Sequence, residues 1–222
     1  MKLLFIFILT CNVVYSQNKI DKIELKNVEK EITNSHSDFF YPKLLKRLQA
    51  FDSTLTIEDY RMLYYGFAFN KNYTAFEDDK SKEIQDLIKS EDYPAAIKTC
   101  DLVLEKIPIC IKANYLKGYC LFCRNKNDSL SFSYRSIYHN LMKAIISSGD
   151  GLTCKTGFKV LFIGDEYEIM YKYFEISEFK GQALQGNCDV LNVEPSDKYK
   201  EPSIFFDATE ILKKESEMFD KK

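Results

Sequence analysis

The chain has 222 residues, with 31 lysines and arginines against 33 aspartates and glutamates, a net charge of −2. That balance, with a sequence pI near 5.8, gives no support to a basic nucleic-acid face or a polybasic membrane patch. Fifteen tyrosines, 17 phenylalanines and no tryptophan make aromatics a main source of core for one ordinary domain or two small ones.

Lys2 precedes an apolar run from Leu3 to Leu9 that continues through Val13 and Val14 to Ser16 and Gln17, the form of a short signal peptide. Val14 and Ser16 suit a peptidase that needs small side chains three and one residues before the cut, so cleavage is expected after Ser16. The competing reading, a lipoprotein anchored through Cys11, is opposed by Thr10 just before it. The run is shorter than the ~20 residues a bilayer requires, so no integral membrane segment is expected once the signal is removed. The expected product is exported, periplasmic or secreted. Removing Lys2 with the signal takes the charges from 31 and 33 to 30 and 33, a net of −3.

The charged segment 17–36 carries Ile20, Ile23, Val28 and Ile32, which suggests a loosely attached helix. A helical region is expected over 37–148. Leu44, Leu45, Leu48 and Phe51 recur at helical spacing behind Pro42, and Thr56 with Asp59 caps a stripe of Tyr60, Leu63, Tyr64 and Phe67. Glu91 to Asn125 reads EDYPAAIKTCDLVLEKIPICIKANYLKGYCLFCRN. This segment resembles a tetratricopeptide repeat: Ala96, Cys100, Val103, Leu104 and Pro108 take the spacing of one unit's second helix, and Ala113, Tyr115 and Gly118 that of the next unit's first. Ala96 and Gly118 are small where two helices would cross, and a glycine inside a helix costs roughly 1 kcal/mol, so Gly118 points to a close approach. A longer helix is expected from Leu130 to Ser147, stopped by Ser148, Gly149, Asp150 and Gly151, with Gly149 as a left-handed cap.

Over 149–222 the periodicity turns α+β. Phe158 to Ile163 reads as a buried strand, Asp165 to Phe174 as helix, Ala183 to Val193 and Ser203 to Asp207 as strands, and Ile211, Leu212 and Met218 as part of a final helix. The expected fold is mainly α with an α+β C-terminal part: tetratricopeptide-like antiparallel hairpins, then a small few-stranded sheet with one or two helices.

Chemistry is sparse. Cys120 and Cys123 form a CxxC, but inside an expected helix, without the N-terminal dipole that lowers a thiol pKa and without two further zinc ligands near His36 or His139. Cys100, Cys110, Cys120, Cys123, Cys154 and Cys188 allow disulfides in an exported protein, although most are expected to serve as small core residues. Ser148 to Gly151 offers an anion nest, but a helix stop explains it better. Asp165, Glu166 and Glu168 suit the first turn of a helix. No catalytic residue, metal ligand or cofactor is assigned.

YPKLLKRLQAFDSTLTIEDYRMLYYGFAFNKNY (Tyr41 to Tyr73), SSGDGLTCKTGFKVLFIGDEYEIM (Ser147 to Met170), QALQGNCDVLNV (Gln182 to Val193) and SIFFDATEIL (Ser203 to Leu212) resemble the family called domain of unknown function 4919. The resemblance implies an exported protein of the kind found in gut and environmental Bacteroidetes; it carries over no activity and no site residue. The expected function is therefore non-catalytic binding or scaffolding of a protein or peptide in the cell envelope, with Tyr64, Tyr65, Tyr115 and Tyr119 as groove candidates. The alternative is an extracytoplasmic hydrolase using Asp150, Asp165 and Glu166 where the helices meet the α+β part.

Overall fold

A computed structural model describes residues 22–74 and 80–219. The signal segment, with Cys11 and both cleavage readings, lies outside the described residues. The first helices are α1 (Leu25–Thr33), α2 (Tyr41–Gln49) and α3 (Ile57–Gly66). α1 is seated rather than loose, because Val28 and Ile32 are buried in the main core. Gly66 makes room for it: a Cβ there would lie 3.2 Å from Ile32 Cγ2 and 2.9 Å from Tyr41 Cδ2. Pro42 sits in the first turn of α2, where its missing N–H costs nothing. Thr56 and Asp59 form a reciprocal capping box on α3, with Asp59 N donating to Thr56 Oγ1 over 3.2 Å and Thr56 N to Asp59 Oδ2 over 2.8 Å.

Four helices follow in antiparallel succession: α4 (Ser81–Lys89), α5 (Tyr93–Lys106), α6 (Ile111–Arg124) and α7 (Ser129–Ile146). Of these, α4 was not singled out by periodicity. Asp92 accepts from Ala95 N at 3.1 Å and Asp128 from Leu130 N at 2.9 Å, so both helix starts are satisfied locally. Gly118 lets α6 and α7 meet closely: a Cβ there would lie 3.2 Å from the Ser131 carbonyl oxygen, and Ser131 Oγ donates to the Gly118 carbonyl at 2.9 Å. Ile84, Ala96, Cys100, Leu116 and Cys120 form a separate small core between α4, α5 and α6.

The C-terminal part holds β1 (Phe158–Lys159), α8 (Ile163–Glu168) running into a π-helical turn (Ile169–Tyr173), β2 (Phe179–Gln185), β3 (Cys188–Val193), β4 (Ser203–Asp207) and α9 (Thr209–Phe219). The sheet order is β1-β4-β3-β2, with β1 parallel to β4 and the other pairs antiparallel. The main core runs without a break from α1 to Ile211, so helices and sheet share one apolar interior. The expected mainly-α fold with an α+β C-terminal part is what the chain adopts.

Three details differ from expectation. Ala183 to Val193 is a hairpin, not one strand, because Gly186 turns the chain at φ +64°. The apolar run from Phe158 to Ile163 pairs in the sheet only over two residues. From Lys159 onward its backbone is held by side chains: Tyr65 Oη donates to the Lys159 carbonyl (3.1 Å), Leu161 N to Tyr64 Oη (2.9 Å) and Tyr73 Oη to the Leu161 carbonyl (3.0 Å). Gly151, not Gly149, takes the left-handed conformation, at φ +71°. Gly149 instead gives passage to backbone, since a Cβ there would lie 2.4 Å from the Thr156 carbonyl oxygen. Most of the six cysteines serve as core residues, as expected: Cys100, Cys110 and Cys120 are buried free thiols and Cys123 is half-buried, while Cys154 and Cys188 form a disulfide with Cα atoms 5.4 Å apart.

Candidate functional site

The groove candidates separate into two kinds. Tyr64 and Tyr65 are fully buried and spend their hydroxyls on the end of β1 and the segment after it, so neither offers a surface to a partner. Tyr64 also donates to Asp165 Oδ2 at 2.5 Å, and burial followed by the Asp165 charge drives its phenol well above the ordinary range. Tyr115 is half-buried and Tyr119 is exposed.

Tyr115 borders a groove of about 500 Å³ lined by Tyr138, His139, Met142 and Lys143 of α7, by Lys172, Tyr173 and Phe174 at the π-helical turn, and by Lys198. The Tyr115 and Tyr138 rings lie 5.1 Å apart, and Lys172 Nζ stands 5.6 Å from the Tyr115 ring centre. The groove thus combines an aromatic floor with a basic rim. Burial, then Arg135 and Lys143, hold His139 below its usual pKa, which makes it a neutral member of that rim. Lys198 is engaged with Glu175 at 2.7 Å, whereas Lys172 and Lys143 are exposed.

A second cleft, of about 410 Å³, lies between α8, the β2–β3 hairpin and α9. Asp189 shares the parity of Leu191 and Val193 and so faces the interior from a strand inside the sheet. Glu166, 0% exposed, meets it from the first turn of α8. Among the described residues no donor reaches either oxygen of Glu166 or Asp189 Oδ1. Burial, then the Asp189 charge, pushes the Glu166 carboxyl up to about 9. At neutral pH the Glu166 carboxyl is therefore held protonated. Tyr167 Oη donates to Gln182 Oε1 at 2.9 Å, and Gln182 Nε2 donates to Asp189 Oδ2, which continues the chain of polar contacts to the rim.

The residues proposed for hydrolysis are not gathered. Glu166 reaches the cleft, Asp165 is turned to Tyr64, and Asp150 accepts from Leu152 N at 2.9 Å in the turn after α7. That turn leaves no anion nest, because Asp150 N and Gly151 N both donate to the Thr156 carbonyl, at 2.8 and 3.0 Å. Cys120 lies buried within α6, and burial pushes its thiol up to about 11, the reverse of a reactive CxxC. Among the described residues no group of three or more ligating side chains could hold a metal ion, and no helix is long and apolar enough to cross a membrane.

The family described as "Domain of unknown function (DUF4919)" matches residues 26–217. The chain belongs to this family. No curated protein and no solved structure matches it. Membership of DUF4919 spans both clefts, and its description assigns neither a ligand nor a reaction. Sequence reasoning passed over Asp189 and Gln182 of this DUF4919 chain, although one signal was present: an aspartate inside CDVLNV, at the parity of the two residues that face the core.

Proposed function

We propose that this DUF4919 chain is an exported, non-catalytic binding protein whose tetratricopeptide-like helices α6 and α7 present the aromatic and basic groove to an extended acidic segment of an envelope partner. The observation that carries this is the groove itself, where Tyr138, Tyr173 and Phe174 line the same cavity as the exposed Lys143 and Lys172. Aromatic surface anchors a peptide at low entropic cost, and lysines at the rim steer an acidic one. Export, with cleavage after Ser16 favoured over lipidation at Cys11, is supported by the Cys154–Cys188 disulfide, a bond suited to an oxidising compartment.

The test is mild cross-linking and pull-down of the exported protein from its native envelope, with Lys172→Glu as the discriminating variant. Lys172 is exposed, so charge reversal should leave melting unchanged while partner recovery falls and becomes less sensitive to salt. Tyr115→Ala is the second variant; Tyr115 packs against both cores, so its loss of binding counts only at equal stability. An unchanged partner profile in Lys172→Glu would remove the groove from consideration. Hydrolysis is the weaker alternative, because Glu166 alone of its three proposed residues lines a cleft.

A further inference from the structure

Among the described residues, three acids and no base line the second cleft: Glu166 from α8, Asp189 from β3 and Glu215 from α9. The charged and titratable neighbours repeat that sign. Asp165 and Tyr167 flank Glu166 on α8, while Lys213 and Lys214 of α9 are turned to Glu210 and Glu217. Buried carboxyls are ordinarily matched by a base or by several donors, yet Glu166 is 0% exposed with neither oxygen meeting a protein donor. The walls are apolar, with Leu184, Ile211 and Leu212 among them. A donor from outside the chain that is positive at one end and aliphatic behind it matches both features. An ammonium brings up to three N–H donors on a stem that packs on apolar surface.

We propose that the cleft between the β2–β3 hairpin and α9 binds a primary alkylammonium, its head on the Glu166–Asp189 pair and its carbon chain along Leu184, Ile211 and Leu212. Gln182, exposed and bonded to Asp189, covers the entrance from β2. The head displaces the proton that Glu166 holds, and that proton leaves to solvent. Because Glu166 holds its proton up to about pH 9, affinity rises about tenfold per pH unit through neutrality, as long as the amine stays charged. The same chemistry is offered by a free alkylamine and by a lysine side chain in a peptide.

Titration calorimetry of the full exported chain distinguishes these sources, with n-butylamine as one probe and a short acetylated lysine peptide beside its norleucine twin as the other. Between pH 6 and pH 8 the affinity for n-butylamine should rise roughly a hundredfold, with about one proton released per amine, as read from heats in buffers of different ionisation enthalpy. Glu166→Gln should abolish the proton release and most of the affinity. Asp189→Asn, expected to do the same, stands in if that variant fails to fold. A lysine peptide that binds more tightly than n-butylamine, with a silent norleucine twin, assigns the site to a protein partner; n-butylamine alone assigns it to a free amine. Absence of heat with both probes, or equal affinity in wild type and Glu166→Gln, overturns the proposal. Because the groove at Tyr138 is separate, neither result depends on the envelope pull-down.

Discussion

The helical layer around α4, α5 and α6 and the junction beneath the sheet are held together by different means. In the first, the backbone is satisfied within each helix and small side chains such as Ala96, Cys100 and Gly118 bring the helices close. In the second, the chain from Lys159 onward has few strand partners and relies on Tyr64, Tyr65 and Tyr73, which reach it from 97, 94 and 88 residues away. The contrast teaches where stability should be sensitive. A local cap or a small core residue acts on one helix, whereas a single hydroxyl at the junction ties two halves of the chain.

The largest expected effect is at the disulfide, whose closure of a 34-residue separation is worth about 3–4 kcal/mol on loop-entropy grounds. A Cys154→Ser, Cys188→Ser double variant should lose that much in urea unfolding. A loss confined to a small local change would show that the sheet does not depend on it. Next comes Tyr64→Phe, which takes the acceptor from Leu161 N and a donor from Asp165 at constant shape. We expect a cost of about 2–3 kcal/mol. A neutral result would break the contrast between the two regions.

Glu166→Gln sharpens it further. The native acid, raised to about 9 from 4.5, stays protonated on folding while the unfolded chain releases its proton. Its contribution to stability is therefore complete below pH 4.5 and is lost as pH climbs towards 9, with a slope approaching about 1.4 kcal/mol per pH unit. The amide does not titrate, so urea melts across that window should show the variant gaining on wild type as pH rises. Parallel profiles would mean that the carboxyl is not held neutral. The smallest effect is expected at Thr56→Ala, where loss of one half of the capping box should cost about 1 kcal/mol and fray only the start of α3 in hydrogen exchange.

Much of the helical region was legible because its signals are short-range. The Thr56–Asp59 cap, Pro42 in a first turn and Gly118 at a crossing each concern residues within a turn or two, or a single missing Cβ. β4 was equally plain, as apolar residues between Pro202 and the start of α9. The hairpin at Gly186 was missed because its second strand, buried on both faces, reads as a continuation of the first. Tyr64 and Tyr65 look alike as groove and as core residues, since an aromatic stripe has the same spacing in either role.

By itself, then, the sequence determined the order of the helices apart from α4, the change to α+β after α7 and membership of DUF4919, all of which rest on local periodicity or on the chain as a string. Only the tertiary structure decided that Cys154 meets Cys188, that Tyr64 ties Leu161 to Asp165, and that Glu166 shares a cleft with Asp189 and not with Asp150. The reason is physical: a cap or a helical stripe is selected within a few residues, whereas these pairings exist only after a long loop has closed and both partners have left water together.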